Sequence, residues 1–526
     1  MPDASLDSIR HPEFLAEINE WLRAWDFYRG GRHVIAPGRK ITQVGRWVVS
    51  AAASDASISG GGSPDIERGR SRRLIYERQA FAGYLASHVR ESGEEYQDRV
   101  ARAMHLPFFR SIVDVYVSAV LRTSPQSDTS GEPWTTYWAD ADLAGTTHDE
   151  LMRQALTLAL VQRKAFVVVD RPHFEGTRAS RAEQIALGDR AYAYVLSATD
   201  LVDWRLDEFG RFIWAVIRED EPDARVPGEA PSELRNQYRT WYRDRWELTD
   251  SDGEVTTQLH PLGRVPIVPL FARRGHESRR TLASDGVLSD IVDVDCAIYN
   301  HLSLFHEQLF SQVFSQLAVP TADGEAPDLE LGVQRVLGFS NEGGSQPLYL
   351  APDPNILTAQ LSSISQHISW GRQMATVGRG NAELSKEERS GAALQHEAGD
   401  KNNAVSSLVG AVERCDRGIH ELVALWEGKP IESAPKRTYS RDVSLKALSA
   451  QIADATSLSK LAIPEKAMSE LVIPILSRAL REHGVGEAAI ARAEGAIREA
   501  AEKVLDLAPA PPMATEPDED EGNDGP

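Results

Sequence analysis

The side chains able to do chemistry are scattered along this sequence, and few stand at spacings that a reaction requires. There is no GxxxxGKS or GxxxxGKT phosphate loop, no GxGxxG after a strand-like run, no HExxH, no GxSxG and no EF-hand spacing. Nucleotide hydrolysis and hydride transfer on a nucleotide fold are therefore disfavoured. His301 and His306 share a predicted helix, but a five-residue step turns them roughly 140° apart about its axis, a poor geometry for one metal. Asp290, Asp293 and Asp295 cluster near the start of the same helix, where the positive end of the helix dipole is reason enough for them. Cys296 and Cys415 fall in predicted helices without CxxC spacing and read as small buried side chains of a reducing compartment. No catalytic, cofactor-binding or metal residue is assigned. The internal string His148-Asp149-Glu150-Leu151 carries no retention meaning away from a C-terminus.

The elements around these residues are more informative. From Val287 to Leu317 there is neither Pro nor Gly, and apolar residues recur at Val287, Ile291, Val294, Ile298, Leu302, Phe305, Leu309, Val313 and Leu317. Steps of three and four place them on one helical face. Uninterrupted, such a helix is a rod of roughly 46 Å. A second stripe, Leu288, Val292, Tyr299, Phe310 and Phe314, predicts packing on more than one side. A Gly/Pro-broken insert follows, with short strands predicted at Gln334–Phe339 and Leu348–Leu350. A return helix over Asn355–Val377 carries Ile356, Leu357, Leu361, Ile364, Ile368 and Met374, with Asp353 or Asn355 as its cap. The expected unit is a helical hairpin with a small α/β tip.

Upstream, an amphipathic helix is predicted over His11–Tyr28, then a Gly-rich loop ending near Ser63 and a basic cluster, Arg68, Arg70, Arg72 and Arg73, without interleaved aromatics. Helical pattern runs from Leu74 to Leu121, broken near Gly93 and Pro107. A further helix, Thr147–Gln162, leads into the continuous apolar run Ala165–Asp170, a strand buried on both faces. Strands are predicted at Tyr192–Leu196, Phe212–Arg218, Gln237–Glu247 and Val265–Phe271, with Asp252-Gly253 a tight turn and Pro266 and Pro269 marking an edge. Downstream come a polar loop near Arg379–Arg389, a long helix from Ser390 to Trp426 with Gly391, Gly399 and Gly410 as kink points, a strand at Arg437–Val443, and Ala-rich helices to Leu507.

At 526 residues and 42% apolar composition the chain can bury several cores. No apolar run is long enough for a membrane span and the N-terminus does not read as a signal peptide. The net charge is −21, of which the Pro-rich tail after Leu507, with six acids and no base, accounts for under a third. An acidic surface repels phosphate, so electrostatic gripping of DNA is not expected. Between Asp285 and Leu317 there are Asp285, Asp290, Asp293, Asp295 and Glu307 and no Lys or Arg, a balance that suits a wall along which DNA passes and equally an ordinary acidic surface helix.

The order of these elements resembles the bacteriophage portal protein family. The strings that carry it are Tyr96-Gln97-Asp98-Arg99 through Phe109 to Leu121-Arg122-Thr123-Ser124-Pro125, Ala165 to Asp170-Arg171-Pro172, and Gly263-Arg264-Val265-Pro266-Ile267-Val268-Pro269. To these are added Leu288-Ser289-Asp290-Ile291 through Asn300-His301 to Pro320, and Ser390-Gly391-Ala392-Ala393-Leu394. The resemblance spans nearly the whole chain, leaving the Gly-rich stretch and the Arg68–Arg73 cluster unassigned.

It implies a mainly α, α+β protomer: a wing (residues 1–284), a first stem helix (285–318), a small α/β clip (319–354), a second stem helix (355–377), a tunnel loop and long kinked helix (378–430), a returning wing strand (431–444), a helical crown (445–508) and a disordered acidic tail (509–526). It implies a closed homo-oligomeric ring, commonly of twelve copies, at the capsid portal vertex of a virion, assembled in the host cytoplasm. Double-stranded DNA would pass without sequence preference during packaging and ejection. The stem stripe from Val287 to Val313 would pack the stem and its neighbours. Arg379, Asn381, Lys386 and Arg389 would face the channel, and Arg335, Phe339 and Tyr349 would dock the terminase large subunit and later the head-tail adaptor; the major capsid protein surrounds the ring. Two other readings of the sequence are a cytosolic multi-domain enzyme with an unrecognised site and a structural adaptor without a pore.

Overall fold

The computed structural model of the chain describes residues 9–35, 84–86, 91–129, 131–172, 188–220, 236–275, 280–312, 316–321, 330–331, 334–335, 337–340, 346–350, 354–375, 391–440, 477 and 490–496. They fall in two units, Met1–Val443 and Ser444–Pro526. In the second, residues 490–496 are helical and the Ser477 hydroxyl donates to Glu494. The first unit is a mixture of helix and open sheets.

Its centre is strand β2, Lys164–Asp170, in which every residue is buried. Period two explains how one strand serves two cores. Ala165, Val167 and Val169 point into a main core with Leu151, Ala155, Leu156 and Ala159 of one helix and Leu408, Val412, Ile419 and Leu422 of another. Phe166 and Val168 point into a second core with Leu201, Trp204, Ala215, Ile217 and Trp241. The continuous apolar run is the signature of this two-sided burial.

β2 pairs antiparallel with β3 (Tyr192–Ser197) on one side and β9 (Ile267–Phe271) on the other. The prolines do mark an edge, since β9 is the last strand of that three-stranded sheet. A separate five-stranded antiparallel meander runs β4 (Leu201–Leu206), β5 (Phe212–Asp220), β6 (Asn236–Trp241), β7 (Arg245–Thr249) and β8 (Val255–Leu259). The run Gln237–Glu247 is thus two strands and not one. A turn through Tyr242, closed by the Tyr242 amide on the Arg245 carbonyl at 2.8 Å, divides it without any Gly or Pro to announce it. Strands β4 and β8 were not legible, whereas the Asp252-Gly253 turn joins β7 to β8 with Gly253 at φ 86°.

Helices pack mostly on the main-core side. They are α1 (Pro12–Arg29), the short α2 (Arg32–Ile35), α3 (Gly93–Arg102), α4 (Phe108–Val120), α5 (Trp134–Ala139) and α6 (His148–Gln162). α1 also sends Phe14 and Trp21 into the second core. The break expected near Gly93 is a helix start, with α3 opening at Gly93 behind its cap Ser92. Ser92 caps α3 and Thr147 caps α6, each in a reciprocal capping box with Glu95 and Glu150.

The predicted rod is shorter than its sequence pattern. Helix α7 covers Ser289–Gln312, 24 residues, or roughly 36 Å. Leu317 lies instead in β10 (Gln316–Thr321), and Val313 lies outside the described residues. Cross-strand pairing decides this: β10 runs parallel to β13 (Leu337–Ser340) and antiparallel to β14 (Leu348–Leu350), which satisfies its backbone in the sheet. Beside it β11 (Glu330–Leu331) pairs with β12 (Gln334–Arg335). The described residues of this tip are strand apart from Gln346 and Pro347, and the rest of the segment expected to form a small α/β clip lies outside the described residues. The chain returns through α8 (Pro354–Met374), then the 36-residue α9 (Gly391–Trp426), which runs through Gly399 and Gly410 as one helix. A short 3-10 turn at Ile431–Ser433 precedes β15 (Arg437–Thr438), which pairs with β1 (Gln126–Ser127) far upstream.

Two close approaches between distant elements need glycine. A Cβ on Gly371 of α8 would stand 2.5 Å from Phe108, and one on Gly418 of α9 would stand 2.9 Å from Val268 of β9.

Asp295 of α7 is fully buried, accepts the Phe109 amide at 2.8 Å and lies 3.2 Å from His105 Nε2. It therefore satisfies a donor at the open start of α4, a helix that lacks a side-chain cap of its own. Asp295→Ala is expected to cost about 2–4 kcal/mol, because it strands a buried amide and imidazole. Urea unfolding followed by circular dichroism measures it; a change below about 0.5 kcal/mol, the surface-substitution range, would show these bonds do not form.

Candidate assembly surface

The apolar stripe of α7 divides along its length. Leu288, Ile291, Val292 and Tyr299 enter the main core. Ile298 and Leu302 form a smaller buried cluster with Ile364 of α8, flanked by Phe108, Val294, Phe305 and Ile368. Ile298 and Leu302 thus pack within the helical pair and Ile291 packs against the body of the same chain. Val287 and Val294 are partly covered in the same way, and Leu309 is half-buried.

What remains open is a different set. Leu304 and Phe310 on α7 and Ile356, Leu361, Trp370 and Met374 on α8 are 41–64% exposed. Three of these, Ile356, Leu361 and Met374, belong to the apolar period predicted for the return helix; of that stripe Ile364 is buried, against α7. Six large apolar side chains exposed on one helical pair are an unusual surface for a chain that ends its packing there.

The base of the pair is pinned by polar contacts. Asn300 accepts the Ala86 amide at 2.7 Å and donates to the Tyr84 carbonyl at 3.1 Å. Arg99 donates to Ser303 at 3.1 Å and Arg102 pairs with Glu307 at 2.7 Å, both from α3. At the far end of α8, Tyr116 of α4 donates to the Ala375 carbonyl at 2.5 Å.

These contacts also revise the electrostatic reading of α7. Asp293 pairs with Arg23 at 2.7 Å, Glu307 with Arg102, and Asp295 is consumed at α4. Three of its four acids therefore serve contacts within the chain, and α7 is not the uncompensated acidic wall its composition implies.

Of the other residues singled out, Arg335 lies in β12, Tyr349 in β14, and Phe339 is half-buried in β13. Arg379, Asn381, Lys386 and Arg389 lie outside the described residues, as do the Arg68–Arg73 cluster and the acidic tail. His301 does not join His306; its ring lies 5.0 Å from that of His367 across the helical pair.

A buried polar cluster was missed. His148 opens α6 and its Nε2 lies 2.5 Å from Asp416 Oδ1 on α9. His420, one turn along, faces the same carboxylate at 3.4 Å, and Arg437 of β15 stands 3.9 Å away while pairing with Asp149. Three of these groups are close enough to be considered as metal ligands. His420 is not available, however. Its Nε2 accepts the Trp138 indole N–H at 2.7 Å, which leaves Nδ1 to donate to the Asp416 carbonyl at 2.8 Å. With both ring nitrogens engaged and a guanidinium beside the carboxylate, the cluster is an ionic bolt joining α5, α6, α9 and β15 and not a cation site. The four-residue step from Asp416 to His420 was visible in sequence; their pairing with His148 was not.

No protein-family model matches this sequence, and no curated protein matches it. Among solved structures the chain is similar to one from the neck of a native GTA particle computed with C12 symmetry, at 10% identity, covering 69% of this chain and 88% of that one, with a TM-score of 0.35. A chain from the neck of an empty GTA particle computed with C6 symmetry gives 12%, 69%, 89% and 0.37, and one from the virion of a native gene transfer agent particle gives 12%, 68%, 87% and 0.35. Likeness at that level carries no functional conclusion for this chain.

The cluster has a pH signature. Burial pushes the Asp416 carboxyl up, but the facing His148 and His420 rings, the His148 hydrogen bond and Arg437 outweigh it and bring it to about 2. Burial pulls the His420 imidazole down to about 4. Both groups thus have folded values below their unfolded ones, so their stabilisation is complete above the unfolded value and is lost as pH falls. For His420 that window runs from 6.5 down to about 4, an effect of at most about 3 kcal/mol. His420→Gln is expected to flatten the fall in unfolding free energy between these pH values relative to the unaltered chain. An equal slope in both proteins would show that His420 titrates no differently folded than unfolded.

Proposed function

We propose that this chain is the repeating subunit of a phage portal: a closed ring at one vertex of a capsid through which double-stranded DNA passes. The observation that carries the reading is the helical pair α7–α8, joined by a strand-built tip and left with Leu304, Phe310, Ile356, Leu361, Trp370 and Met374 exposed. One chain cannot cover that surface, and a heterologous contact repeated around an axis covers it in every copy at once. The order of elements supports the same reading, since a body rich in helix and strand precedes the pair and α9 and β15 return to that body afterwards.

In this reading the part up to residue 284 is the wing, α7 and α8 are the stem, and the strands β10–β14 between them are the clip. The clip would dock the terminase large subunit during packaging and the head-tail adaptor afterwards, with the major capsid protein around the wing. The segment 378–390 would approach the duplex and residues 445–508 would form the crown. The protein's work is mechanical, with no reaction of its own. With each chain at a net charge of −21, the ring as a whole would repel phosphate at long range, which disfavours a tight hold on the duplex.

Light scattering on the eluting protein tests this. A ring of about twelve copies is expected near 700 kDa, with a central hole in negative-stain images. Replacing Leu361 and Trp370 together by Asp should leave the helical circular dichroism unchanged, because neither is buried in the single chain, and should reduce the assembly to single copies. A chain that stays monomeric or dimeric across salt conditions, or rings unaffected by the double variant, would count against the stem assignment. Globular dimers without a hole would favour the adaptor reading.

A further inference from the structure

We infer that a cavity between β9 and α9 binds phosphate. Its volume is about 460 Å³, and it is rimmed by Arg273 and Arg274, just beyond the end of β9, and by Arg414 of α9. Cys415, Ala411 and Phe271 help to form its apolar floor. The size is that of a small-ligand site.

The rim is set apart by what its charges do not do. Many arginines elsewhere among the described residues are paired with carboxylates, Arg23 with Asp293, Arg171 with Asp189, Arg190 with Asp140, Arg239 with Glu219 and Arg264 with Glu421, while others such as Arg153, Arg205 and Arg417 stand without an ion pair. What sets the rim apart is that three unpaired guanidiniums line one cavity. Arg273, Arg274 and Arg414 form no ion pair with any described carboxylate, and no acidic residue lines the cavity. Glu413, next to Arg414 in sequence, is turned to the Tyr439 amide at 3.2 Å. In a chain of net charge −21, three guanidiniums gathered without a counter-charge are a concentrated exception.

The geometry holds them in place. The Arg273 carbonyl accepts from the Ser284 hydroxyl at 2.8 Å and the Asp285 amide at 3.1 Å, and the Gly275 amide donates to the Ala283 carbonyl at 3.2 Å, so the backbone beneath two of the three is fixed. The Arg274 guanidinium lies 5.7 Å from the centre of the Phe271 ring, within cation–π range. α9 is seated against β9 by the contact at Gly418, which brings Arg414 over the same opening. Phosphate, with several acceptor oxygens, matches paired guanidinium forks better than a single carboxylate does. The site stands whether or not the chain forms a ring.

Two sources of phosphate are separable by one set of measurements on the full-length protein. Binding of a fluorescently labelled DNA duplex of about 20 base pairs is followed by anisotropy from 50 to 200 mM salt, and binding of pyrophosphate by calorimetry. The double variant Arg274→Glu/Arg414→Glu is expected to lose at least about tenfold in affinity for whichever ligand binds, and for the duplex to reduce the salt slope by about 2. Arg274→Lys should lose part of the affinity, keeping charge without the fork. Arg417→Glu, an exposed arginine of α9 outside the cavity lining, should change nothing. Duplex binding that pyrophosphate barely displaces assigns the site to the nucleic-acid backbone; pyrophosphate binding without duplex binding assigns it to free phosphate compounds. No binding of either ligand at 50 mM salt, equal losses in Arg417→Glu, or a change of assembly size in the double variant with phosphate binding intact would overturn the inference.

Discussion

The architecture depends on one strand with no solvent-facing side. β2 is buried along its whole length, and it divides its side chains between two cores by simple alternation. A Val or Phe taken fully from water contributes about 1.5–3 kcal/mol, so this short run is among the densest sources of stability in the chain. Even its first residue, Lys164, is sequestered, its ammonium donating to the Leu282 carbonyl at 3.0 Å and lying 4.7 Å from the centre of the Trp21 ring. Burial lowers the pKa of that amine, and the nearby Glu17 carboxylate opposes the shift. The strand thus couples α1, α6, α9 and the five-stranded meander into one framework.

The pair α7–α8 is attached to that framework unevenly. Its base is fixed by apolar burial at Leu288, Ile291 and Val292 and by hydrogen bonds from Arg99, Asn300 and Tyr116. Beyond the base its own buried seam is small, centred on Ile298, Leu302 and Ile364. Long helices joined by so little buried surface gain stability from a further contact, and the exposed apolar side chains on both of them are the means of making it. This imbalance is why the pair reads as a part of something larger than one chain.

Charge follows the same division between local accounting and tertiary use. By composition α7 is an acidic helix without a base, yet Arg23, His105 and Arg102 from other elements meet its Asp293, Asp295 and Glu307. A carboxylate that satisfies a helix start or an arginine across a contact is not available to set the potential of a surface. Conversely, the guanidiniums at Arg273, Arg274 and Arg414 are ordinary in sequence and distinctive in space, because no described acid was brought to them.

Much of the element order was written locally. Thr147 and Glu150 mark the start of α6, the apolar run after it can only be a strand buried on both sides, Asp252-Gly253 is a hairpin turn, and Pro266 and Pro269 restrict β9 to an edge; each is a property of backbone geometry or of a few adjacent residues. The tertiary structure alone decided where α7 stops, because the competition at Gln316–Thr321 is between continuing a helix and pairing with strands that come later in the chain. It alone decided which apolar stripe is buried: period shows that Ile356, Leu361, Ile364 and Met374 can share a side of α8, but a side is covered only if another element arrives there, and for most of this one none does. The meeting of His148 with Asp416 across 268 positions has the same cause. Periodicity and turn chemistry are short-range and survive in a linear reading, whereas burial and charge pairing are relations between distant segments that exist only once the chain has closed on itself.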